Sequence, residues 1–401
     1  MSKMAIVKIN GGMIAWARRR VNATIDSLST AAIKPSTIQE WENGTAFPSE
    51  KQAMDLADRL GIAYSMLFIP NVPPDEKIQI PDLRTVKGQA LRNPSRNFLA
   101  VLDDAKARQE WISAERKDTG HKPLGFVGRF SLRDNTDTVA ADMRRVLNVN
   151  YEFRQEAKNF EDFLRRLSMR VEEVGVLVMR STVVRHITRR SLDANEFRGF
   201  NLIDKYAPVV FINDTDAKAA QVFTLAHEVA HIWIGQEGIS DRRPQEKGNS
   251  ANLIELFCDG VAAEFLVPKE EFKKIWNDSR TAGINVAAIS AHFKVSELTA
   301  LRRAKDLAKI SPTYFFARIY EKYDAYRRKE AEERAKQKAK PKEERGGNFW
   351  ASFDLRNSAQ FNRTVGESIF RRRLTYSEGA SLLGVSVMTA ATYVSRLRVE
   401  Q

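Results

Sequence analysis

Two histidines four residues apart, with a glutamate after the first, are the side chains of this 401-residue chain best spaced for chemistry: Gln221-Val-Phe-Thr-Leu-Ala-His227-Glu228-Val-Ala-His231-Ile-Trp-Ile-Gly235. On a helix, positions four apart leave from one face, so two imidazoles can hold one ion. Glu228 then falls beside the ion and can take a proton from an activated water. A catalytic zinc keeps three protein ligands and one open position, so a third donor is required. Downstream, Ile254-Glu255-Leu-Phe-Cys-Asp259-Gly-Val-Ala262-Ala263-Glu-Phe-Leu-Val-Pro268 offers two carboxylates one turn apart. Glu255 is expected as the third ligand, with Glu264 and His292 as alternatives. Asp259 can accept a hydrogen bond from the far nitrogen of a ligand histidine and fix its tautomer. The expected site is therefore Zn2+ on His227, His231 and Glu255, with Glu228 as catalytic base and Asp259 behind the ligands. His186 and Arg198 are candidates for stabilising an oxyanion, and the apolar neighbours of Cys258 imply plain burial.

The elements that must position these groups are also legible. In the first segment Val222, Leu225, Val229 and Ile232 form an apolar face, Asp214 or Thr215 can cap the start, and Gly235 can end the helix. In the second, Phe257, Val261 and Phe265 form an apolar stripe, while Ala262 and Ala263 are small enough for close helix packing; Pro268 stops it. Val174 to Met179, Glu196 to Leu202 and Pro208 to Ile212 are β-branched or aromatic runs broken by turn residues. They are expected to form a small sheet beside the active-site helix, with an open edge that can hold an extended peptide.

Composition bounds the rest. With 43% hydrophobic residues and only 20 Gly and 13 Pro, the chain is neither disordered nor collagen-like. Its apolar runs fall short of the ~20 residues of a membrane helix, and MSKMAIVKIN lacks a secretory h-region. A single cysteine, Cys258, excludes an internal disulfide. A cytoplasmic protein without a membrane partner is expected. The net charge of +13 is dispersed, which fits solubility better than recognition. The expected organisation is a helical unit over 1–75, a helical connector over 76–170 opened by the extended stretch Ile78 to Val86, and a strand-and-helix domain over 171–320. A charged linker over 321–347, either solvated helix or tether, then leads to a helical segment, 348–401.

In the first unit, Ser36 to Gly44 followed by Pro48 resembles the recognition helix and following loop of phage-repressor (XRE) type helix-turn-helix domains. Thr37-Ile38, Trp41-Glu42, Gly44 and Pro48 all fall in register over about residues 10–70. The resemblance implies that Lys34, Ser36, Thr37 and Gln39 read base edges. Glu40, Glu42 and the near-neutral charge of the unit also suit a helical module that binds protein. Two later segments, 289–301 and 380–390, repeat this grammar and suit nucleic acid or protein docking alike; Arg302, Arg303 and Lys305 follow the first, and Arg371 to Arg373 precede the second.

Phe223-Thr-Leu-Ala-His-Glu-Val-Ala-His231 followed by Ile254 to Pro268 resembles the ImmA/IrrE (DUF955) family of zinc metallopeptidases. Asn195 to Phe200, Pro208 to Asp214 and the junction Pro81 to Val86 add to the likeness, which runs from about residue 78 to about 320. Asp259 stands where many members have asparagine, and Val261 where phenylalanine is common. The resemblance implies an α+β, gluzincin-like peptidase domain behind an all-α helix-turn-helix domain. It implies a zinc-dependent endopeptidase that cleaves a regulatory protein, a repressor or antitoxin, in a phage, mobile-element, stress or toxin–antitoxin circuit. The alternative is a DNA-binding regulator or antitoxin whose peptidase-like domain binds a partner, such as a toxin, without proteolysis. A homodimer is compatible with either; a small-molecule zinc hydrolase is the weaker third reading.

Overall fold

Leu177–Met179 and Val209–Ile212 are apolar at every position, so as strands they must be covered on both faces, because successive side chains point to opposite sides. The computed structural model of the protein, which describes residues 6–21, 23–31, 33–74, 84–85, 89–90, 94–185, 187–216, 218–240, 250–339 and 349–399, has this arrangement. The chain begins with α1 (Gly11–Arg20), α2 (Ile25–Leu28), α3 (Pro35–Asn43), α4 (Glu50–Leu60) and a 3-10 turn (Tyr64–Phe68). A short pair, β1 (Arg84–Thr85) and β2 (Gln89–Ala90), precedes α5 (Arg96–Asp118), α6 (Thr136–Val146), α7 (Tyr151–Gln155) and α8 (Phe160–Glu173). Then come β3 (Leu177–Ser181), β4 (Val183–Val184), β5 (Ile187–Ser191), β6 (Gly199–Leu202), β7 (Val209–Asn213), α9 (Lys218–Ile234) and β8 (Gly238–Ser240). Helices complete the chain: α10 (Ser250–Leu266), α11 (Lys269–Ile275), α12 (Ala282–Phe293), α13 (Glu297–Asp306), α14 (Pro312–Ala339), α15 (Phe349–Asn357), α16 (Ala359–Phe370), α17 (Tyr376–Leu383) and α18 (Val387–Val399).

The four-stranded sheet runs β3–β7–β6–β8, with β3 and β7 parallel and the other neighbours antiparallel. Alternation divides its side chains between two cores. Val178, Val210 and Ile212 face α8, α9 and α10. Leu177, Met179, Val209 and Phe211 face Phe98 and Leu102 of α5 and Phe353, Phe361 and Leu383 of the carboxy-terminal helices. The α+β class expected from sequence is observed as a mostly helical molecule with a small mixed sheet. The strands start later than expected because their first residues have other work. Val174 and Gly175 turn the chain out of α8, with Gly175 at φ +102. The Glu196 carboxylate accepts from Ser95 N (2.6 Å) and Ser95 Oγ (2.7 Å).

The expected division at residue 170 does not separate cores. The core around α9 runs from Phe126 to Phe315, and the "connector" helices α6 and α8 are part of it. Nor does the segment after the charged run stand apart, since its apolar residues share a core with α5 and the sheet. Of the two readings of that run, helix is observed as far as Ala339 in α14. The junction Pro81 to Val86 lies outside the described residues except for Arg84 and Thr85, and His186 lies outside them altogether. The amino-terminal unit has its own core, including Met13, Ile14, Ile38, Trp41, Leu56 and Leu60. There Gly11 lets α1 cross against the carbonyls of Trp41 and Glu42, and Arg18 Nε donates to Glu42 Oε1 at 2.6 Å.

Truncation after Ala339 is therefore expected to strip one sheet face of the part of its cover that α5 does not supply and give an aggregating protein, since an exposed apolar face drives association. An unchanged, monodisperse unfolding transition, followed by calorimetry and light scattering, would show the last helices to be an independent module.

Candidate metal centre

α9 is apolar around almost its whole circumference, and a helix of that kind is buried on all sides. Val222, Leu225, Val229, Ile232 and Trp233 are at most 1% exposed, and so are Glu228 and His231 among them. The helix ends at Gly235, φ +66, and the carbonyls of Ile232 and Trp233 accept Gly128 N (3.0 Å) and Phe130 N (3.1 Å). Trp233 stacks on Phe126 at 4.4 Å and donates Nε1 to Asp142 (3.0 Å). α9 begins at Lys218, and Asp214 accepts from Arg180 Nη2 (2.8 Å) and Lys218 Nζ (2.5 Å), while Thr215 Oγ1 donates to Asn213 (2.6 Å).

α10 packs against α9 and α6, with Ala262 and Ala263 buried, and turns Glu255 and Asp259 toward the histidines. His227 Nε2 lies 3.1 Å from Glu255 Oε2, and His231 Nε2 lies 3.2 Å from Glu255 Oε1. The two Nε2 atoms are 3.1 Å apart. One ligand atom from each of His227, His231 and Glu255 lies within 4.8 Å of the others, a cluster that could hold a metal ion. Behind it, His227 Nδ1 donates to Asp259 Oδ1 at 3.0 Å, which leaves Nε2 facing the cluster. Two imidazoles and one carboxylate are a donor set that fits zinc.

The alternatives for the third ligand have other partners. Glu264 accepts from Arg303 Nη2 and Lys269 N, and the His292 ring packs 5.7 Å from Tyr151. Arg198 is buried 3.7 Å from Asp216. Cys258 is fully buried, and burial together with Glu255, Asp259 and Glu228 pushes its thiol pKa well up, so it stays an inert thiol.

Three contributors were not assigned to this site from sequence. Arg302 of α13 donates Nη2 to Asp259 Oδ2, so Asp259 is held between Arg302 and His227. Gly199 of β6 lies under the base candidate: a Cβ there would fall 2.8 Å from Thr224 Cγ2 and 2.9 Å from both Glu228 Oε1 and the Phe211 carbonyl. Gly238 of β8 lies on His231, where a Cβ would fall 2.8 Å from the ring. Gly199 sits inside the quoted Asn195–Phe200 motif; nothing local marked Gly238, and Arg302, read from sequence only as a docking residue after the 289–301 segment, meets a partner 43 residues away.

Electrostatics bind the cluster. Burial works against a charged His227, but Glu255 and Asp259 outweigh it and raise its pKa to about 10. Burial likewise works against an ionised Glu255, but His227 and His231 hold it at about 2. Without metal, a proton on His227 supplies the positive charge that the carboxylates require.

Residues 171–305 match the family model of the IrrE N-terminal-like domain, peptidase M78. No curated protein and no solved structure matches the chain. No helix among the described residues is long and apolar enough to cross a membrane.

In the metal-free protein the share of stability from His227 is complete below its ordinary pKa of 6.5 and is lost as pH rises toward about 10. That from Glu255 is complete above 4.5 and is lost as pH falls toward about 2. The difference in unfolding temperature between wild type and Glu255→Gln, both with chelator, is thus expected to be widest between those ordinary values and to shrink on the alkaline side. A difference that grows above about pH 9 would contradict the pairing. Gly199→Ala is expected to cost about 1–3 kcal/mol in denaturant titrations, because the backbone carbonyl of Phe211 cannot yield.

Proposed function

We propose, from the premise that residues 171–305 form a peptidase unit of the IrrE N-terminal-like type, that the protein is a zinc-dependent endopeptidase acting on a regulatory protein such as a repressor or antitoxin. The observation that carries the reading is the convergence of His227, His231 and Glu255, with Asp259 hydrogen-bonded behind His227. In this reading those three residues hold the ion, and the chemistry it supplies when bound is Lewis acidity that activates water and polarises a peptide carbonyl. Glu228, buried beside the cluster, takes the proton of the attacking water and passes it to the leaving amine. Asp259 fixes the His227 tautomer, and Arg302 fixes Asp259.

A polypeptide substrate is favoured by β8. It is the last strand of the sheet among the described residues, and its Gly238 lies against His231. An extended chain added to that edge is held by main-chain hydrogen bonds beside the ion.

DNA binding through the amino-terminal unit is the second part of the proposal. Lys34, Ser36 and Gln39 are exposed at the start of α3, Thr37 is partly so, and Gln39 Nε2 donates to Asn43 (3.2 Å). Glu42, which would repel phosphate, is tied to Arg18. This surface equally supports the regulator reading, in which the peptidase-like unit binds a partner such as a toxin and does not cut it.

Glu228→Gln is expected to retain zinc while kcat/KM on the repressor or antitoxin encoded beside this chain falls by a factor of about 100 or more. Undiminished cleavage would overturn the mechanism, and absence of cleavage by the wild type on every such neighbour would favour the regulator. Asp259→Ala is expected to weaken zinc binding about 10–100-fold, with Asp259→Asn restoring most of it, as read by competition with a chromophoric chelator. Ser36→Glu/Gln39→Glu is expected to weaken binding of a cognate operator duplex by more than about tenfold.

A further inference from the structure

The carboxy-terminal helices carry a reading that depends on neither the metal centre nor the amino-terminal unit. α17 ends at Gly384, φ +68, and α18 starts on Ser386, whose Oγ accepts Thr389 N at 3.1 Å. With α16 across them, the pair has helix-turn-helix connectivity, in which the second helix is the one that enters a groove. The exposure of α18 is one-sided. Ala390, Tyr393 and Val394 are buried, whereas Thr392, Ser395 and Arg396 are exposed, and so are two apolar side chains in the first turn, Val387 (50%) and Met388 (80%).

Charge around this helix favours an anionic partner. Arg371 and Arg372 stand exposed in the turn before α17, while Arg363 on α16 is paired with Glu367 at 3.5 Å. Glu378, the sole carboxylate of α17, accepts from Thr375 N (2.8 Å) in a capping box. The other late segment of the same grammar, α12–α13, is an internal control. There Leu298, Thr299, Ala300, Leu301 and Ala304 are buried, and Arg302 and Arg303 are spent on Asp259 and Glu264. That second helix has no face to offer; α18 has one.

We propose that α16–α18 form a second duplex-DNA-binding surface. Val387, Met388 and Thr392 enter the major groove, where apolar side chains meet thymine methyl groups, and Arg371 and Arg372 neutralise backbone phosphates. Because Arg373 and Ser368 bind Glu115 of α5 (3.0 and 3.1 Å), DNA held there is fixed relative to the sheet.

The test is fluorescence anisotropy of a labelled mixed-sequence DNA duplex with the full-length chain carrying Ser36→Glu/Gln39→Glu, so that any contact through α3 is removed. Binding is expected to persist. Adding Arg371→Gln/Arg372→Gln should reduce the slope of log K against log salt by about 2, and adding Val387→Asp/Met388→Asp should weaken binding at least about tenfold. All four positions are exposed, and unchanged unfolding temperatures verify the fold. No duplex binding in the α3-blocked chain, or binding that neither pair of substitutions moves, would overturn the proposal. Failure of the α3 reading shows separately, as an unblocked affinity equal to the blocked one.

Discussion

Two imidazoles and two carboxylates taken out of water must neutralise one another, and the rest of this molecule is arranged around that requirement. His227 lies between Glu255 and Asp259, and Asp259 lies between His227 and Arg302. Removing His227 would leave carboxylates on both sides of it short of a partner, a larger cost than such a pair is worth in water. The same arrangement suits a divalent ion, because an array of acceptors that needs a proton to be stable will exchange it for a metal.

Such a cluster survives only if the helices bearing it cannot move apart. α9 is enclosed by the sheet on one side and α10 on another, and β6 approaches it through glycine, where any side chain would strike Glu228. The sheet in turn needs both faces covered. Its far face is closed by α5 and by helices that follow the charged run, so residues 349–399 bear on the rigidity of a site encoded far earlier in the chain.

Helix-turn-helix grammar occurs at α2–α3, α12–α13 and α17–α18, and burial distinguishes its uses. In α13 Arg302 and Arg303 turn to Asp259 and Glu264, beside the His227, His231 and Glu255 cluster. In α3 and α18 one face remains in solvent. Similar local patterns thus serve packing in one place and leave an exposed helix face in others.

What the sequence by itself determined was local. The spacing of His227, Glu228 and His231 and of Glu255 and Asp259 follows from helical periodicity, and the apolar runs marked three of the four strands in the sheet, one of them within a residue and two beginning three residues late, where Val174, Gly175 and Glu196 serve other contacts. What tertiary structure alone decided was which distant groups meet: Arg302 on Asp259, Gly238 on His231, Asp214 on Arg180, and the last helices on the sheet. These pairings join residues whose local patterns carry no mark of each other, since a salt bridge or a glycine contact depends on where elements pack and not on the period within either one.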